Sequence, residues 1–420
     1  MPNSHYNLEE QLRRDRRIGN AKRRKQLLKR FFPFLLLLLL VGAGIYLLRP
    51  DGDTPEPETT TAAPAIGSAV ATLNFVGDVS LDEAAMDAFR TENGYDFTDL
   101  FQKIVPRLAM ADLTLGNLEG NVTGEVADHC YPPALLQALY AAGFDVLQTA
   151  NSYTIQNGMT GLCATKQAIQ AAGMDALGTW VSEEDRNENG VLIRDVNGIR
   201  IAFVSFTKGM NNLRLPAGAE YSVNLLYSDY DTNYSKIDRS AITQAVAEAQ
   251  AQNPDLIVAM LHWGSEYDRQ ITDSQKEIAE LLFDSGVNLI VGSHSHYVGP
   301  IELKDAAGSS YGSRLVAYSL GDFVSAADSN AARNGCILSV TVTKDRDGVR
   351  ITDLSYVPTY SAAPSEELEV QNYEVLDTLG AISFYKQGYY DRVSEALYKQ
   401  LVSALEKMKE QTGMPEHLAE

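Results

Sequence analysis

The sequence predicts an α/β domain with a substantial internal sheet flanked by helices, carried behind one transmembrane helix. Three observations predict it. Short apolar runs of strand length alternate with amphipathic stretches of helical period through the larger part of the chain. An uncharged apolar stretch over residues 31–48 follows a run of basic side chains. Polar and titratable residues recur just past the ends of successive apolar runs, where open α/β sheets bind their ligands.

The N-terminal elements set the topology. Residues 1–30 hold ten Lys and Arg between Arg13 and Arg30, against Glu9, Glu10 and Asp15. Residues 31–48 carry no charge and are just long enough, as a helix, to cross a bilayer core. Flanking basic charge stays on the cytoplasmic side, so residues 1–30 read as a cytoplasmic segment, 31–48 as a single-pass anchor in the cell membrane, and the rest as extracytoplasmic. No convincing small-residue cleavage site directly follows the apolar run, which argues against a cleaved signal peptide. Residues 49–67, rich in Thr, Pro and acid, offer nothing to bury and read as a linker. Extended at about 3.1 Å per residue, its Pro-rich part spans about 50 Å.

Strands are expected at Val70 to Val76, Leu113 to Leu118, Val146 to Ala150, Ile199 to Phe206, Leu256 to Trp263, Leu289 to Gly292, Leu315 to Ser319 and Ile337 to Val342. Helical period marks Pro133 to Ala142, Cys163 to Ala172, Ile237 to Gln252 and Ser274 to Ser285. From Ser365 to about Glu410 the chain reads as helical. The folded part is therefore taken as a domain over residues 68–362 with a C-terminal helical extension over 363–420. Residues 207–235, polar and carrying Tyr221, Tyr227, Tyr230 and Tyr234, read either as a lid over the strand-end site or as a surface excursion whose tyrosines pack on the domain.

Charge excludes some partners. The chain carries 35 basic and 55 acidic side chains, and with the ten and three before residue 49 set aside, 25 and 52 remain, a net of −27. Such a surface does not suit nucleic acid. It also repels a polyanion unless a metal or a local basic patch offsets the field. Of the three cysteines, Cys130 and Cys163 bracket a strand and its loops and could pair, while Cys336 reads as a small buried strand residue.

His294 and His296 stand just past the apolar run Leu289 to Gly292, and extended backbone would project both imidazoles to one side as two nitrogen ligands for one metal centre. His262 ends another apolar run; the chain has only six histidines. Around them gather Gly77-Asp78, Asn117-Leu118-Glu119-Gly120, Asn151-Ser152-Tyr153, Glu266 and Gly321-Asp322-Phe323. Each is weak alone, since a Gly-Asp pair is most often a turn. Carboxylates with imidazoles suit a divalent ion such as Mn, Fe, Zn or Mg and do not choose among them.

In that order these motifs resemble the CapA-type poly-gamma-glutamate capsule synthesis family, whose domain has the fold of calcineurin-like metallophosphatases. Gly77-Asp78, Asn117-Leu118-Glu119, His262-Trp263-Gly264 with Glu266-Tyr267, Gly292-Ser293-His294-Ser295-His296 and Tyr318-Ser319-Leu320-Gly321-Asp322-Phe323 match the family's motifs in turn. The resemblance implies a metallophosphatase-like sheet sandwich flanked by helices, with Asp78, Glu119, His262, His294 and His296 as metal ligands and Glu119 bridging two ions. It implies Asn151, Glu266 and Asp322 as substrate-binding residues. The family's Asn-His pair is Ser152-Tyr153 here, the aspartate three residues on is Gln156, and Asp322 replaces the usual Asn. Tyr153 thus occupies the position of the family's general acid, and losing such a group costs about 100- to 10,000-fold.

The function expected from this reading is a membrane-anchored extracytoplasmic CapA-like protein assisting synthesis, export or anchoring of an anionic surface polymer such as poly-gamma-glutamate. Its partners would be that polymer or its precursor and membrane-embedded synthesis or export subunits. The alternatives are a metal-dependent phosphoesterase or hydrolase at the cell surface and a catalytically inactive scaffold.

Overall fold

In order along the chain the strands are β1 (Ala69–Ser80), β2 (Arg90–Thr91), β3 (Gly94–Tyr95), β4 (Leu113–Leu118), β5 (Asn121–Val122), β6 (Cys130–Tyr131), β7 (Val146–Gln148), β8 (Asp175–Leu177) and β9 (Leu192–Val196). There follow β10 (Ile199–Thr207), β11 (Leu256–His262), β12 (Leu289–Ser293), β13 (Ile301–Asp305), β14 (Ser313–Ala317), β15 (Asp322–Ser325), β16 (Asn334–Asp345), β17 (Gly348–Ala362) and β18 (Glu374–Asp377). This computed structural model describes residues 68–305, 313–327, 329 and 331–413. The expected cytoplasmic segment, anchor and linker lie outside the described residues. Among those described, no helix is long and apolar enough to cross a membrane.

Two large sheets form. One runs β18-β17-β16-β1-β4-β7-β8, with β15 also paired to β1, and the other runs β13-β14-β12-β11-β10-β9. Both are mixed: β1, β4, β7 and β8 are mutually parallel, as are β10, β11, β12 and β14, while the hairpin strands toward the edges run antiparallel. Period-two alternation on strands covered on both faces explains their unbroken apolar runs. On β10, Ile199, Ile201 and Phe203 enter a layer shared with Leu73, Phe75, Leu115 and Val146 of the other sheet. Ala202, Val204 and Phe206 point the opposite way, toward helices Arg239–Gln250 and Asp273–Asp284. Leu135, Leu136 and Leu139 of helix Pro133–Ala142 cover the outer face of the first sheet. The result is the α/β sheet sandwich flanked by helices, and each Leu or Phe in the inner layer stabilises it by about 1.5–3 kcal/mol.

Local chemistry sets the helix ends. Thr272 and Gln275 form a reciprocal capping box before Asp273–Asp284. Ser394 caps Glu395–Thr412, and Gly413, at φ 64°, ends it in the left-handed region. The helix expected at Cys163 starts five residues earlier, at Gly158.

Three differences from the sequence reading matter. The region after Ser365 is not helical throughout: β18 first adds to β17, and then helices Thr378–Lys386 and Glu395–Thr412 pack Ile382 and Leu401 against Tyr360 and Ala362 of the same sheet. The hairpin β9–β10 was not expected, although Asn197-Gly198 (φ 56° and 90°) is the residue pair that a tight hairpin turn demands. Finally, the pairing that Cys130 and Cys163 could have made is not formed, and both are free thiols. Cys130 Sγ instead lies 2.8 Å from Thr123 Oγ1 and 3.2 Å from the Glu125 carbonyl, while Cys163 sits in helix Gly158–Ala171. Cys336 is buried between the sheets, and burial pushes its thiol up to about 12.

Candidate metal centre

The site is assembled where strands of both sheets end. At Gly77 a side chain would strike the Gly321 carbonyl at 1.7 Å, and only its absence lets the next residue, Asp78, donate its N–H to that oxygen at 3.0 Å. Parallel register then sets Asp78 opposite Asn117 of β4 and Asp322 of β15. Glu119 follows β4, its N–H on the Val79 carbonyl at 3.1 Å. From the other sheet, β11 ends on His262, in register with Ser293 at the end of β12. Gly292 has the same role as Gly77, since a Cβ there would meet the Tyr318 carbonyl at 2.1 Å and Trp263 Nε1 at 2.4 Å.

The two histidines after β12 do not lie on extended backbone as expected. His294 has φ 98° and His296 φ 58°, both in the left-handed region that costs a side-chain-bearing residue strain of about 1–3 kcal/mol. That turn sends them to different places. His294 joins Glu119 and His262 in one group, and His296 joins Asp78 and Glu119 in another, the ligand atoms of each group lying within 4.8 Å of one another. Glu119 belongs to both groups, as the position of a bridging carboxylate requires. Asp78, Glu119 and His262 are 0 % exposed, His294 2 % and His296 7 %.

Hydrogen bonds fix these side chains from behind. Asn117 Nδ2 donates to Asp78 Oδ1 at 2.7 Å, and the His294 backbone N–H to Asp78 Oδ2 at 3.0 Å. His262 Nε2 is 3.0 Å from Glu119 Oε1, and His296 Nδ1 is 2.9 Å from Asp322 Oδ1. Burial holds the His262 imidazole down at about 3 and keeps His294 well below its ordinary range, so both stay neutral, the form that binds metal. Burial raises Asp78 to about 7, aided by the charge of Glu119, and raises Glu119 as well. Burial works against the His296 imidazolium, but the Asp322 carboxylate outweighs it by charge and hydrogen bond and carries the ring to about 11.

The residues fit a divalent ion. Glu119 Oε2, His262 Nδ1 and both ring nitrogens of His294 are buried with no hydrogen-bond partner, and such groups cost about 1–3 kcal/mol each when left unsatisfied. Asp78, Glu119, His262, His294 and His296 would hold the metal, which when bound supplies Lewis-acid polarisation and an activated water.

The remaining expected residues fall into different settings. Asn151 is fully buried behind the cluster, its Nδ2 spent on Asn117 Oδ1 (3.0 Å) and the Leu118 carbonyl (2.7 Å), its Oδ1 on the Tyr153 N–H. Asp322 is buried behind His296, and Glu266 is exposed on the rim. Tyr153 is half-buried, and burial with the charge of Glu119 pushes its phenol well above its ordinary value. Sequence reasoning missed several contributors. His129 stacks on Tyr153 at 3.7 Å and sets Nδ1 3.1 Å from the Glu119 carbonyl, which Tyr131 also holds at 2.6 Å. Tyr267 stacks on His296 at 4.8 Å. Tyr267 lies within the matched His-Trp-Gly motif, whereas His129 has no signal in the sequence because β5 and β6 bring it in from a separate excursion.

The family model described as "Bacterial capsule synthesis protein PGA_cap" matches residues 72–327. The "PGA biosynthesis protein CapA" of Bacillus subtilis is 26% identical over 327 residues, which is 75% of this chain and 76% of that one. The "Capsule biosynthesis protein CapA" of Bacillus anthracis is 27% identical over 267 residues, covering 60% of this chain and 59% of that one. Among solved structures, a calcineurin-like phosphoesterase from Bacillus subtilis is similar at a TM-score of 0.38 and 12% identity, over 81% of this chain and 99% of that one.

Proposed function

Because the chain belongs to the bacterial capsule synthesis protein family PGA_cap, we propose that it assists the synthesis, export or anchoring of an anionic surface polymer, poly-gamma-glutamate being the candidate its relatives' names supply. In this reading it is anchored by residues 31–48 with its domain outside the membrane, and it binds the polymer or its precursor through the strand-end cluster beside membrane-embedded synthesis or export subunits. The observation that carries the reading is the combination found at one site. Five buried ligand-type side chains are held in two groups around Glu119, while the position expected to supply a general acid holds a phenol pushed well above neutrality. Such a site binds more readily than it protonates a leaving group.

Deleting the gene in a capsule-forming host is expected to lower the amount or the chain length of surface polymer, and an unchanged polymer would sink the reading. For the topology, protease added to spheroplasts should remove the domain and leave a short protected basic fragment. Full protection of the domain would place it elsewhere. The completeness of the ligand set favours a second reading, a metal-dependent hydrolase whose leaving group needs little protonation. Assay of the purified chain with Mn or Zn against phosphate esters and gamma-glutamyl peptides separates the two.

A further inference from the structure

The stem of the excursion after β10 brings a cation to the rim of this acidic site. Lys208 is half-buried, and burial lowers its pKa. Its Nζ donates to the Gly264 carbonyl at 2.7 Å and lies 4.8 Å from the centre of the Tyr234 ring. Neither partner carries a charge. Among the described residues no carboxylate lies within ion-pair distance of Lys208, and the exposed Glu266 acts on it only from further away. An ammonium has three donors, so two remain for a ligand. Its backbone N–H donates to the His262 carbonyl at 2.8 Å, which sets it beside the buried cluster.

The same stem reaches the third motif. Asn212, four residues on, accepts from the Tyr234 hydroxyl at 3.2 Å. Asn211 and Asn212 adopt φ 49° and 60° to do so, a turn that these residues tolerate better than most. Met210 is fully buried against Ala150, Ile155 and Leu162, so the stem is part of the packed domain and its polar side chains are held in place.

We propose that Lys208 forms a carboxylate-binding subsite on the rim of the buried cluster, with the Tyr153 hydroxyl as a second hydrogen-bond donor. This rests on the polymer-binding reading above and names the group recognised: the free carboxylate carried by each residue of a gamma-linked glutamate chain. A metal centre alone attracts any anion. A fixed ammonium together with a phenol donor adds a directional charge-assisted contact, and it does so where the residues beyond 48 carry a net −27 that would otherwise repel the polymer.

The test is calorimetric titration of the purified full-length chain with a gamma-linked glutamate decamer and with the same decamer amidated at its free carboxylates. The unaltered chain is expected to bind the acidic decamer at least tenfold more tightly than the amidated one, with affinity falling as salt rises. Lys208→Gln should weaken acidic-decamer binding by about tenfold or more, Lys208→Arg should restore much of it, and Tyr153→Phe should weaken it by a smaller factor. Metal content should not change in any of the three. Equal binding of the acidic decamer by Lys208→Gln with its metal retained overturns the subsite and leaves the polymer reading standing. No binding by the unaltered chain overturns both. If Lys208→Gln does not fold, the amidated decamer decides, since equal affinity for the two decamers rules out carboxylate recognition.

Discussion

Leu256, Val258, Met260 and His262 occupy alternate positions of β11 and so share one face of it, yet they serve opposite purposes. The first three are buried in the apolar layer between the sheets. The fourth is equally buried but faces Glu119 and His294, with one ring nitrogen unpartnered. Within one strand, burial passes from a source of stability to a cost. The comparison teaches that the sandwich core supports the strand-end cluster, and that the cluster contributes little to the fold on its own account: its orphaned atoms are tolerated because a ligand can satisfy them.

The largest effect should come from breaking the apolar side. Phe203→Ala, fully buried between the sheets, is expected to destabilise the chain by about 3–5 kcal/mol in denaturant unfolding. A loss below about 1 kcal/mol would mean the inner layer is not the main source of stability. On the polar side, Ser152→Asn with Tyr153→His restores the residue types the family carries, and hydrolysis of an activated aryl phosphate should rise by about a hundredfold or more, with metal occupancy rising too. Background activity and metal content in that variant would show that the cluster is not a latent hydrolytic site. Asp322→Ala removes the partner that orients the His296 ring through Nδ1, and divalent metal affinity should fall by about tenfold. Unchanged affinity would separate His296 from metal binding. The smallest effect is expected at an exposed ion pair remote from both regions: Lys103→Ala, which breaks the contact with Glu374, should change stability by less than about 1 kcal/mol and leave metal binding unaltered.

Legibility in the sequence follows the same division. Strands covered on both faces announce themselves as apolar runs, and β4, β10, β11 and β12 stand within a residue of where the sequence puts them. Strand β17 does not, because its first half carries Arg350, Thr352 and Asp353 on exposed or half-exposed positions and has no run to read. β18 was hidden by its helical surroundings. The ligand-type residues were legible because each stands at or just past the end of a strand or after a motif glycine, and both Gly77 and Gly292 prove to be places where only a missing side chain allows the backbone approach. Their division was not legible. Spacing alone puts His294 and His296 on one side of a strand, and only the left-handed turn at both residues sends them to separate groups. His129 was beyond reach for another reason, since it arrives at the site on a loop whose path is set by tertiary packing, whereas Lys208 lies in the 207–235 stretch that one reading of the sequence makes a lid over the site.

Elemental analysis of the purified full-length chain and of Glu119→Gln, after equilibration with Mn or Zn and removal of free ion, tests the central claim most directly, since Glu119 is the side chain both groups share. The arrangement predicts at least one divalent ion per unaltered chain and its loss from the variant, with the metal-free variant folded and no less stable than the metal-free parent. An unaltered chain that holds no ion, or a variant that keeps its ion, would contradict it.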